Sequence, residues 1–248
     1  MSLGLGIAST FPFEGISTDL QQATSGTAAG LRLWLKNNTG VTAAKWSDSS
    51  GFDNHATQAT EGNQAAVSGG GLDFERDNSD HYDLTTKIDI AEEQGFCVAI
   101  VVTRESDTSG CLFSDNASEL FQINNTTTFR VKTRNNTAGQ DTVTDAVFSA
   151  GTFPTATKFL FLVNRTAGAN NKFTFMKNGV ALTPDTDTST NEAAGENPSG
   201  IEFSVLGSKV GNANFFDGIV HEAAIWSRSL TLQEIADVNS YLQQIHGL

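Results

Sequence analysis

The sequence predicts an all-β fold, a jelly-roll β-sandwich closed by one C-terminal α-helix. Only 17% of the 248 residues are charged, and glycine, serine, threonine and asparagine are abundant, which is typical of strands joined by many turns. About 12 short apolar or alternating segments follow one another at close spacing, as in sandwiches and jelly rolls. Helical periodicity is confined to the last segment of the chain.

The first half of the chain contains alternating segments and one very apolar segment. Leu31–Lys36 alternates strictly, so its three leucines are expected on one face and Trp34 on the other. Gly95–Arg104 is the most apolar segment and is expected at a sheet centre, covered on both faces. The other predicted strands of this half are one ending at Trp46, Leu72–Phe74, His81–Leu84, Cys111–Ser114, Leu120–Ile123, Thr128–Thr133 and Val143–Phe148.

The second half predicts a hairpin, a long loop and the closing strands. Lys158–Asn164 and Lys172–Lys177 bracket a turn and are expected to pair. Asn178-Gly179 is a strong turn signal before a further strand. Residues 183–200 are polar and acidic, which indicates a surface loop. The remaining predicted strands are Val180–Leu182, Ile201–Leu206 and a last strand pair within Asn214–Trp226.

The C-terminal helix has clear start and stop signals. Thr231 and Glu234 have capping-box spacing, and Leu230 with Ile235 has the spacing of a hydrophobic staple. Gly247 stands where a helix ends. The helix is therefore expected to lay an apolar face on a sheet or across one end of the sandwich. The predicted apolar face comprises Leu232, Ile235, Val238, Leu242 and Ile245.

Residues 1–30 lack strand or helix periodicity and predict an extended N-terminal arm, followed by one folded domain over residues 31–248. Phe11 and Phe13 are isolated apolar residues of this arm, and one interpretation is that they dock on a neighbouring protein. The alternative is a disordered terminus, and composition alone does not choose between the two.

The charge of the chain excludes several classes of partner. The net charge is −13 and the pI about 4.6, which argues against nucleic acid and anionic membranes, because both attract clustered Lys and Arg. The N-terminus lacks the basic region of a signal peptide. Cys97 and Cys111 are the only cysteines, and Cys97 lies in an apolar run where a buried free thiol is expected. We therefore expect synthesis in a reducing cytoplasm.

Four stretches together resemble the laminin-G-like, concanavalin-A-like lectin/glucanase superfamily. Residues 1–30 lie outside the resemblance, which implies two packed, curved antiparallel sheets but no single function. Trp46 and Trp226 are expected in the core. The stretches are Trp46-Ser47-Asp48-Ser49-Ser50-Gly51 through Ala56, Gly71-Leu72-Asp73-Phe74 (with Glu75-Arg76 in place of the family's D-G), Phe175 through Asn178-Gly179, and Phe216-Asp217-Gly218-Ile219 through Glu234-Ile235.

Known catalytic patterns are missing from the sequence. Hydrolases of this superfamily often carry E-x-D-x-x-E on one strand, and the nearest stretch here starts at Lys87, where the nucleophile would stand, and continues with Asp89. The four histidines are dispersed, and no G-x-S-x-G elbow, zinc spacing or phosphate loop is present. The sequence therefore predicts a protein that is not an enzyme.

Two acidic loops leave calcium binding open. Asp48, Asp53 and Asn54 lie within seven residues of one another and offer the oxygen ligands that Ca²⁺ prefers. A second acidic turn spans Asp77–Asp83. The alternative is that these residues form turns through bonds to their own backbone.

Glycan binding needs an aromatic ring beside polar donors and acceptors. The aromatic residues available in loops are Phe52, His81 and Tyr82. These three are our candidate glycan contacts, and Phe11 and Phe13 are the candidate contacts to a partner protein.

The leading functional hypothesis is a non-catalytic structural protein of a bacteriophage virion. A lectin-like domain with few cysteines, an acidic surface, no signal peptide and an N-terminal arm suits a capsid decoration protein or tail-associated adhesin. It would be made in the host cytoplasm and exposed on the virion surface, with the arm binding other virion proteins and the loops binding cell-surface glycan. The alternatives are a calcium-assisted carbohydrate-binding module and a polysaccharide hydrolase with a non-standard acid pair. A homo-oligomer is compatible with this role, but no residue decides it.

Overall fold

The computed structural model describes residue 20 and residues 29–91, 94–115, 119–133, 142–168, 173–190, 200–209 and 213–248. Within these ranges the chain forms eighteen strands, two short 3₁₀ turns and one helix. The strands are β1 (Leu31–Leu35), β2 (Val41–Thr42), β3 (Lys45–Trp46), β4 (Ala56–Thr57), β5 (Ala66–Ser68), β6 (Gly71–Phe74), β7 (Tyr82–Ile90), β8 (Phe96–Arg104), β9 (Gly110–Ser114), β10 (Leu120–Ile123), β11 (Thr128–Thr133), β12 (Thr142–Val147), β13 (Lys158–Arg165), β14 (Phe173–Lys177), β15 (Val180–Leu182), β16 (Thr186–Thr190), β17 (Ile201–Leu206) and β18 (Gly218–Trp226), and the helix is α1 (Leu232–His246).

The strands form two antiparallel sheets that pack into a sandwich, as the sequence predicts. The eight-stranded sheet has the order β15-β14-β13-β8-β18-β6-β5, with β1 also paired to β18. The ten-stranded sheet has the order β16-β12-β11-β10-β9-β17-β7-β4-β3-β2. The most apolar strand, β8, lies between β13 and β18 and is buried along nearly its whole length, which confirms its predicted central position.

The centre of the eight-stranded sheet is β18. It pairs with β8 along one edge, and along its other edge it pairs with β6 near its start and β1 near its end. Gly218, the first residue of β18, allows the start of this strand to lie close to β8. A Cβ atom there would lie 2.2 Å from the carbonyl oxygen of Thr103, and its φ is +128°, so only glycine fits between the neighbouring strands.

The sheets enclose an inter-sheet core that is rich in phenylalanine. Phe129 lies at its centre, with ring centroids 4.6 Å from Phe121 and 4.8 Å from Phe161. Both contacts are edge-to-face, the arrangement that aromatic quadrupoles favour. Trp46 is fully buried in the same core, as the sequence predicts.

A second cluster, the helix-side cluster, lies on the outer face of the eight-stranded sheet beneath α1. It contains Trp34, Trp226, Val238 and Leu242, and Leu20 from the N-terminal region is fully buried in it. Cys97 also belongs to this cluster and is a buried free thiol, which confirms its predicted state.

The helix begins and ends as predicted, but the first and last residues of its predicted apolar face are exposed. The capping box of Thr231 and Glu234 is formed, and Gly247 ends the helix in the left-handed conformation. Leu232 and Ile245, by contrast, are 83% and 52% exposed. They lie in the first and last turns of the helix. Ile235, Val238 and Leu242 are buried, which confirms the centre of the predicted face. The other buried residues of the helix are Glu234, Asn239, Tyr241 and His246.

Three predicted segments differ in the structure. Leu31 lies on the face of Trp34 rather than with the other leucines, because a bulge shifts the register of β1. Part of the predicted loop 183–200 forms β16, which pairs with β12. The predicted last strand pair is one nine-residue strand, β18, because both of its edges pair with other strands.

The N-terminal arm, including Phe11 and Phe13, lies outside the described residues apart from Leu20 and residues 29–30. The division into an arm and one domain therefore stays a prediction. In the part of the chain that the structure covers, no helix has the length and apolar character needed to cross a bilayer.

Candidate functional site

The loop that follows β3 is held together by one carboxylate. Asp48 accepts hydrogen bonds from the backbone N–H groups of Trp34, Ser50 and Asn54 at 2.8, 2.8 and 3.0 Å, and from the Ser50 hydroxyl at 2.7 Å. Both carboxylate oxygens are used. Asp48 therefore closes the loop and fastens it to β1.

Two further contacts fix this loop against β7. The Thr85 hydroxyl donates to the carbonyl oxygen of Asp53 at 2.6 Å, and the Thr85 N–H donates to the carbonyl oxygen of His55 at 2.8 Å. Asp53 has a positive φ of 58°, which turns the chain sharply at this point. The loop consequently presents Phe52 outward, with 46% of its surface exposed.

A cleft opens between this loop and the end of β7. We call it the Arg32 cleft, and its volume is about 380 Å³. It is assembled from both sheets, since β1 belongs to one sheet and β7 to the other. Its lining residues are Arg32, Phe52, Asn54, Thr86, Lys87, Ile88, Asp89, Gln94 and Ser227.

Arg32 is the central cation of the cleft. Its guanidinium carbon lies 4.6 Å from the centre of the Phe52 ring, and its Nε donates to the Ser227 hydroxyl at 3.0 Å. The Asn54 side-chain amide donates to the Arg32 carbonyl oxygen at 2.7 Å. The two terminal amino groups of Arg32 have no hydrogen-bond partner within the described ranges. The cleft thus combines an exposed ring with donors positioned beside it.

A group of carboxylates lies next to the cleft. The Lys87 ammonium group is 2.9 Å from Glu202 on β17, and Glu202, Asp115 and Glu119 each have an oxygen within 4.8 Å of the others. Burial, and secondarily Glu202, raises the pKa of Asp115. Glu119 is completely buried and accepts the Glu202 backbone N–H. Glu119 is therefore not accessible from the cleft.

The three predicted glycan contacts have different environments. Phe52 lies in the Arg32 cleft. His81 lies at the opposite end of β7, where its Nδ1 donates to the Ser79 carbonyl oxygen at 2.8 Å. The prediction for Tyr82 is wrong, because its side chain is fully buried and its hydroxyl accepts the Ala65 N–H at 3.0 Å. Its position before an acidic strand made it resemble a loop residue in the sequence.

The three candidate ligands of the predicted calcium loop differ in how accessible their side-chain oxygens are. The Asp48 oxygens are taken up by backbone donors, the Asp53 side chain is 89% exposed, and Asn54 is buried in the wall of the cleft. Calcium binding by these three residues stays a prediction. The contacts of Asp48 favour the turn-forming role that the sequence left open.

Sequence reasoning missed Arg32, Thr86, Gln94 and Ser227, and it considered Lys87 and Asp89 only in a rejected catalytic pattern. No local signal identifies them, because they come from segments far apart in the chain. In β7, Lys87 and Asp89 are exposed and flank the buried Ile88, and only the fold brings them into one cleft with Arg32.

Comparison with known proteins agrees with this architecture. A laminin G family model, described as the concanavalin A-like lectin/glucanases superfamily, matches residues 75–236. The chain belongs to this superfamily. No curated protein gives a significant sequence match.

Several solved structures share the fold of this superfamily member. Trypanosoma rangeli sialidase is 14% identical with a TM-score of 0.54, and the match covers 88% of this chain but 33% of the sialidase. The binding domain of Paraclostridial mosquitocidal protein 1 is 17% identical, with a TM-score of 0.57 and coverage of 86% and 52%. Our chain therefore spans about a third and about half of these two proteins.

A third structure is matched over almost its entire length. Domain 4 of the extracellular GH43 arabinanase AbnA from Geobacillus stearothermophilus, in complex with arabinotriose, is 16% identical with a TM-score of 0.50. The match covers 85% of this chain and 98% of that domain. At these identities the likeness shows the shared fold alone.

Proposed function

We propose that this lectin-like domain is a non-catalytic carbohydrate-binding module whose ligand occupies the Arg32 cleft. The observation that carries the proposal is the half-exposed Phe52 ring, stacked on one side by the Arg32 guanidinium. An aromatic ring offers the C–H face of a sugar an apolar surface, and nearby polar groups bind its hydroxyls.

The polar groups of the cleft suit this ligand. Arg32 offers two terminal amino groups as donors, Lys87 has a side chain that is 55% exposed, and Asp89 contributes a carboxylate. Sugar hydroxyls both donate and accept hydrogen bonds, so a mixture of donors and acceptors suits them. The related fold of domain 4 of the arabinanase, which was solved with arabinotriose, adds support at the level of the fold.

Absence of catalysis is part of the proposal. Asp89 is the one carboxylate among the lining residues of the cleft. Beside the cleft lie Glu202, which is paired with Lys87, and Glu119, which has no exposed surface. A retaining glycosidase needs two carboxylates with access to the scissile bond. Reducing-sugar release from laminarin, agar and alginate should stay at background, and hydrolysis that disappears in Glu202→Gln would overturn this part.

A glycan array and titration calorimetry test the binding proposal. The wild-type protein should bind a defined set of glycans, and Phe52→Ala should weaken binding by at least about tenfold because stacking contacts are lost. Arg32→Gln should weaken it as well. Repeating the array with EDTA separates calcium-assisted binding from direct binding.

A matched control comes from another exposed apolar residue. Val180 is 66% exposed on β15 and does not line the cleft, so Val180→Ala should bind as the wild type does. Loss of binding in Val180→Ala, or unchanged binding in Phe52→Ala, would refute the assignment of the cleft. Equal unfolding midpoints of both variants exclude a general loss of structure.

We propose that this binding serves attachment on a bacteriophage particle, as capsid decoration or a tail-associated adhesin. The sequence supports this setting through its acidic composition and its N-terminal arm with Phe11 and Phe13. The arm would bind other virion proteins, and the cleft would face cell-surface glycan. Assembly in the host cytoplasm and display on the virion surface belong to the same proposal.

Removal of residues 1–19 tests the role of the arm and spares the buried Leu20. The truncated protein should retain glycan binding and lose incorporation into particles. Unchanged incorporation would contradict the proposed docking role of Phe11 and Phe13. That result would not bear on glycan binding in the Arg32 cleft, which the array tests separately.

A further inference from the structure

Arg32 has no carboxylate partner among the described residues, although the chain is acidic. Its side chain contacts the Ser227 hydroxyl and the Phe52 ring, neither of which is charged. Lys87, the other cation that lines the Arg32 cleft, lies 2.9 Å from a carboxylate oxygen of Glu202. Counter-ions are plentiful in a chain with 28 acidic and 15 basic residues. An arginine that lines a cleft without one is therefore suited to an anionic ligand.

The guanidinium of Arg32 is fixed on two sides. Its Nε donates to the Ser227 hydroxyl at 3.0 Å, and its central carbon lies 4.6 Å from the centre of the Phe52 ring. A carboxylate binds an arginine through two parallel N–H groups, either beside Nε or at the two terminal amino groups. Because Nε is already used, the two terminal amino groups are the edge that remains for such a pair of bonds.

The groups that hold Arg32 are themselves anchored to the backbone. Ser227 donates its backbone N–H to the Gly30 carbonyl oxygen at 2.6 Å. The Asn54 side-chain amide donates to the Arg32 carbonyl oxygen at 2.7 Å, and the Asn54 N–H donates to Asp48 at 3.0 Å. A long side chain that is already ordered loses little further rotamer freedom when a ligand binds. Arg32 is therefore positioned for an anion before the ligand arrives.

The remaining charges of the cleft limit how many negative groups the ligand carries. Asp89 lines the cleft from β7, close in sequence to the Lys87 that pairs with Glu202. A carboxylate there repels further anions, and the net charge of −13 opposes the approach of a densely charged polymer. A single negative charge at Arg32 is favoured, whereas a chain with a sulfate on most of its sugars is not.

The contact between Arg32 and Phe52 indicates a ligand of at least two sugars. The guanidinium covers one face of the Phe52 ring, so a sugar packs on the part of the residue that stays exposed, which is 46% of its surface. A carboxylate at the outer edge of the guanidinium then belongs to the neighbouring sugar. A uronic acid within an oligosaccharide meets this requirement, because each such sugar carries one carboxylate.

We propose that the Arg32 cleft selects oligosaccharides that contain a uronic acid, whose carboxylate binds to the two terminal amino groups of Arg32. The inference rests on the proposed carbohydrate binding and names the class of glycan that is bound. Arg32 sets the preference for the charged sugar, and Phe52 contributes affinity for the sugar beside it.

Matched pairs of oligosaccharides test this preference by calorimetry. Oligomers of galacturonate, glucuronate and mannuronate are each titrated as the free acid and as the methyl ester, which keeps the sugar ring and removes the charge. The wild-type protein should bind at least one free acid about tenfold or more tightly than its ester, because the ester lacks the charge-assisted pair of hydrogen bonds. Added salt should reduce this preference, since the cleft is open to solvent.

Four substitutions separate the contribution of the charge from that of the ring. Arg32→Gln should lower the preference for the free acid to less than about threefold, and Arg32→Lys, which keeps the charge without the fork of donors, should be intermediate. Phe52→Ala should weaken binding of both members of each pair. The matched control is Arg130→Gln, which removes the same charge from an arginine that is paired with Asp145 and does not line the cleft. It should keep the preference of the wild type.

The outcomes distinguish this inference from the function on which it rests. Equal binding of acid and ester, binding of neutral or sulfated glycans alone, or an unchanged preference in Arg32→Gln would overturn the selection of uronic acids and leave carbohydrate binding in place. An equal loss of preference in Arg130→Gln would reveal a general effect of charge and would overturn it as well. If the folded wild type binds no glycan at all, both proposals are wrong.

Discussion

Asp48 accepts four hydrogen bonds through a single carboxylate, and these bonds determine where Phe52 stands. Three of the donors are backbone N–H groups, which would otherwise be left without partners in a part-buried loop. Such groups are costly when unpaired. At the residue scale, the geometry of the cleft therefore depends on a side chain that does not line it.

Asp48→Ala should destabilise the protein by about 2–4 kcal/mol, because several buried donors lose a charged acceptor. Chemical denaturation measures the loss. Asp53→Asn, in the same loop but exposed, should change stability by less than about 0.5 kcal/mol. A similar loss in both variants would contradict the anchoring role of Asp48.

His221 is a buried histidine that the fold keeps neutral. Its Nδ1 donates to the Gly69 carbonyl oxygen at 3.3 Å, so its Nε2 accepts from the Thr103 hydroxyl at 2.9 Å. Burial lowers its pKa from 6.5 to about 4, and the charges of Lys158 and His246 act in the same direction. Protonation therefore favours the unfolded chain.

The stability linked to His221 should fall as pH decreases from 6.5 to about 4, because the unfolded histidine binds its proton first. His221→Gln retains a donor and an acceptor but does not titrate. Denaturation between pH 7 and 4 should show a smaller acid-induced loss in the variant, by about 2–3 kcal/mol. Parallel curves for both proteins would refute this role.

At the scale of elements, α1 is held by local caps and by its contact with the sheet. Arg228 binds both oxygens of Glu234, at 2.9 and 2.6 Å, and Thr231 donates its backbone N–H to Glu234 at 2.8 Å. The bond with Arg228 is the main reason that the pKa of Glu234 falls from 4.5 to about 2. The capping box is therefore strengthened by an ion pair with Arg228, a residue that lies outside the Thr231–Glu234 motif.

Glu234→Gln should reduce stability at neutral pH by about 2–3 kcal/mol. A carboxylate with a lowered pKa contributes fully above its unfolded value of 4.5 and loses this contribution as pH falls towards 2. The difference between wild type and variant should consequently shrink over this range. Thermal unfolding at several pH values measures it, and a constant difference would contradict the ion-pair explanation.

At the scale of the whole molecule, the central strands β8, β13 and β18 of the eight-stranded sheet are buried on both faces. The inter-sheet core covers one face, and α1 covers the helix-side cluster on the other. One polar pair, Glu222 and His246, is buried beside this cluster. The buried Glu222 accepts from the Trp34 indole N–H at 2.7 Å and lies 2.8 Å from His246 near the end of α1. The helix thus covers the helix-side cluster, and its His246 provides a partner for the buried carboxylate of Glu222.

Truncation of residues 231–248 should leave a protein that expresses poorly and binds a hydrophobic dye, because Trp34, Trp226 and their neighbours become exposed. A milder variant keeps the prediction testable if the truncated chain does not fold. Val238→Ala should cost about 1–3 kcal/mol, whereas Ile245→Ala, at an exposed position, should be nearly neutral. Equal effects of the two substitutions would contradict the observed helix face.

Much of the local structure was predictable from the sequence. The strands Leu120–Ile123, Thr128–Thr133 and Ile201–Leu206 match the predicted bounds, because apolar alternation and turn residues act locally. Asn178-Gly179 forms the predicted turn, with positive φ at both residues. The caps of α1 likewise follow from residues three or four positions apart.

The candidate site was predictable only in part. Phe52 was identified from its loop, and its exposure is confirmed, whereas Tyr82 was assigned to the surface and is buried. Both are aromatic residues beside acidic turns, so their local patterns are alike. They differ in the sheet register, which points Tyr82 into the inter-sheet core and leaves Phe52 on the rim.

The all-β class, the central β8, the capped helix and the superfamily could be predicted from the sequence, since these depend on short-range patterns and ordered motifs. Which side chains meet became visible only in the folded structure. Arg32 and Lys87 come together in the cleft from different sheets, and Asp73 and Glu105 meet because Gly218 draws their strands close. Contacts between residues distant in the chain depend on register and sheet order, and these arise only when the whole core is packed.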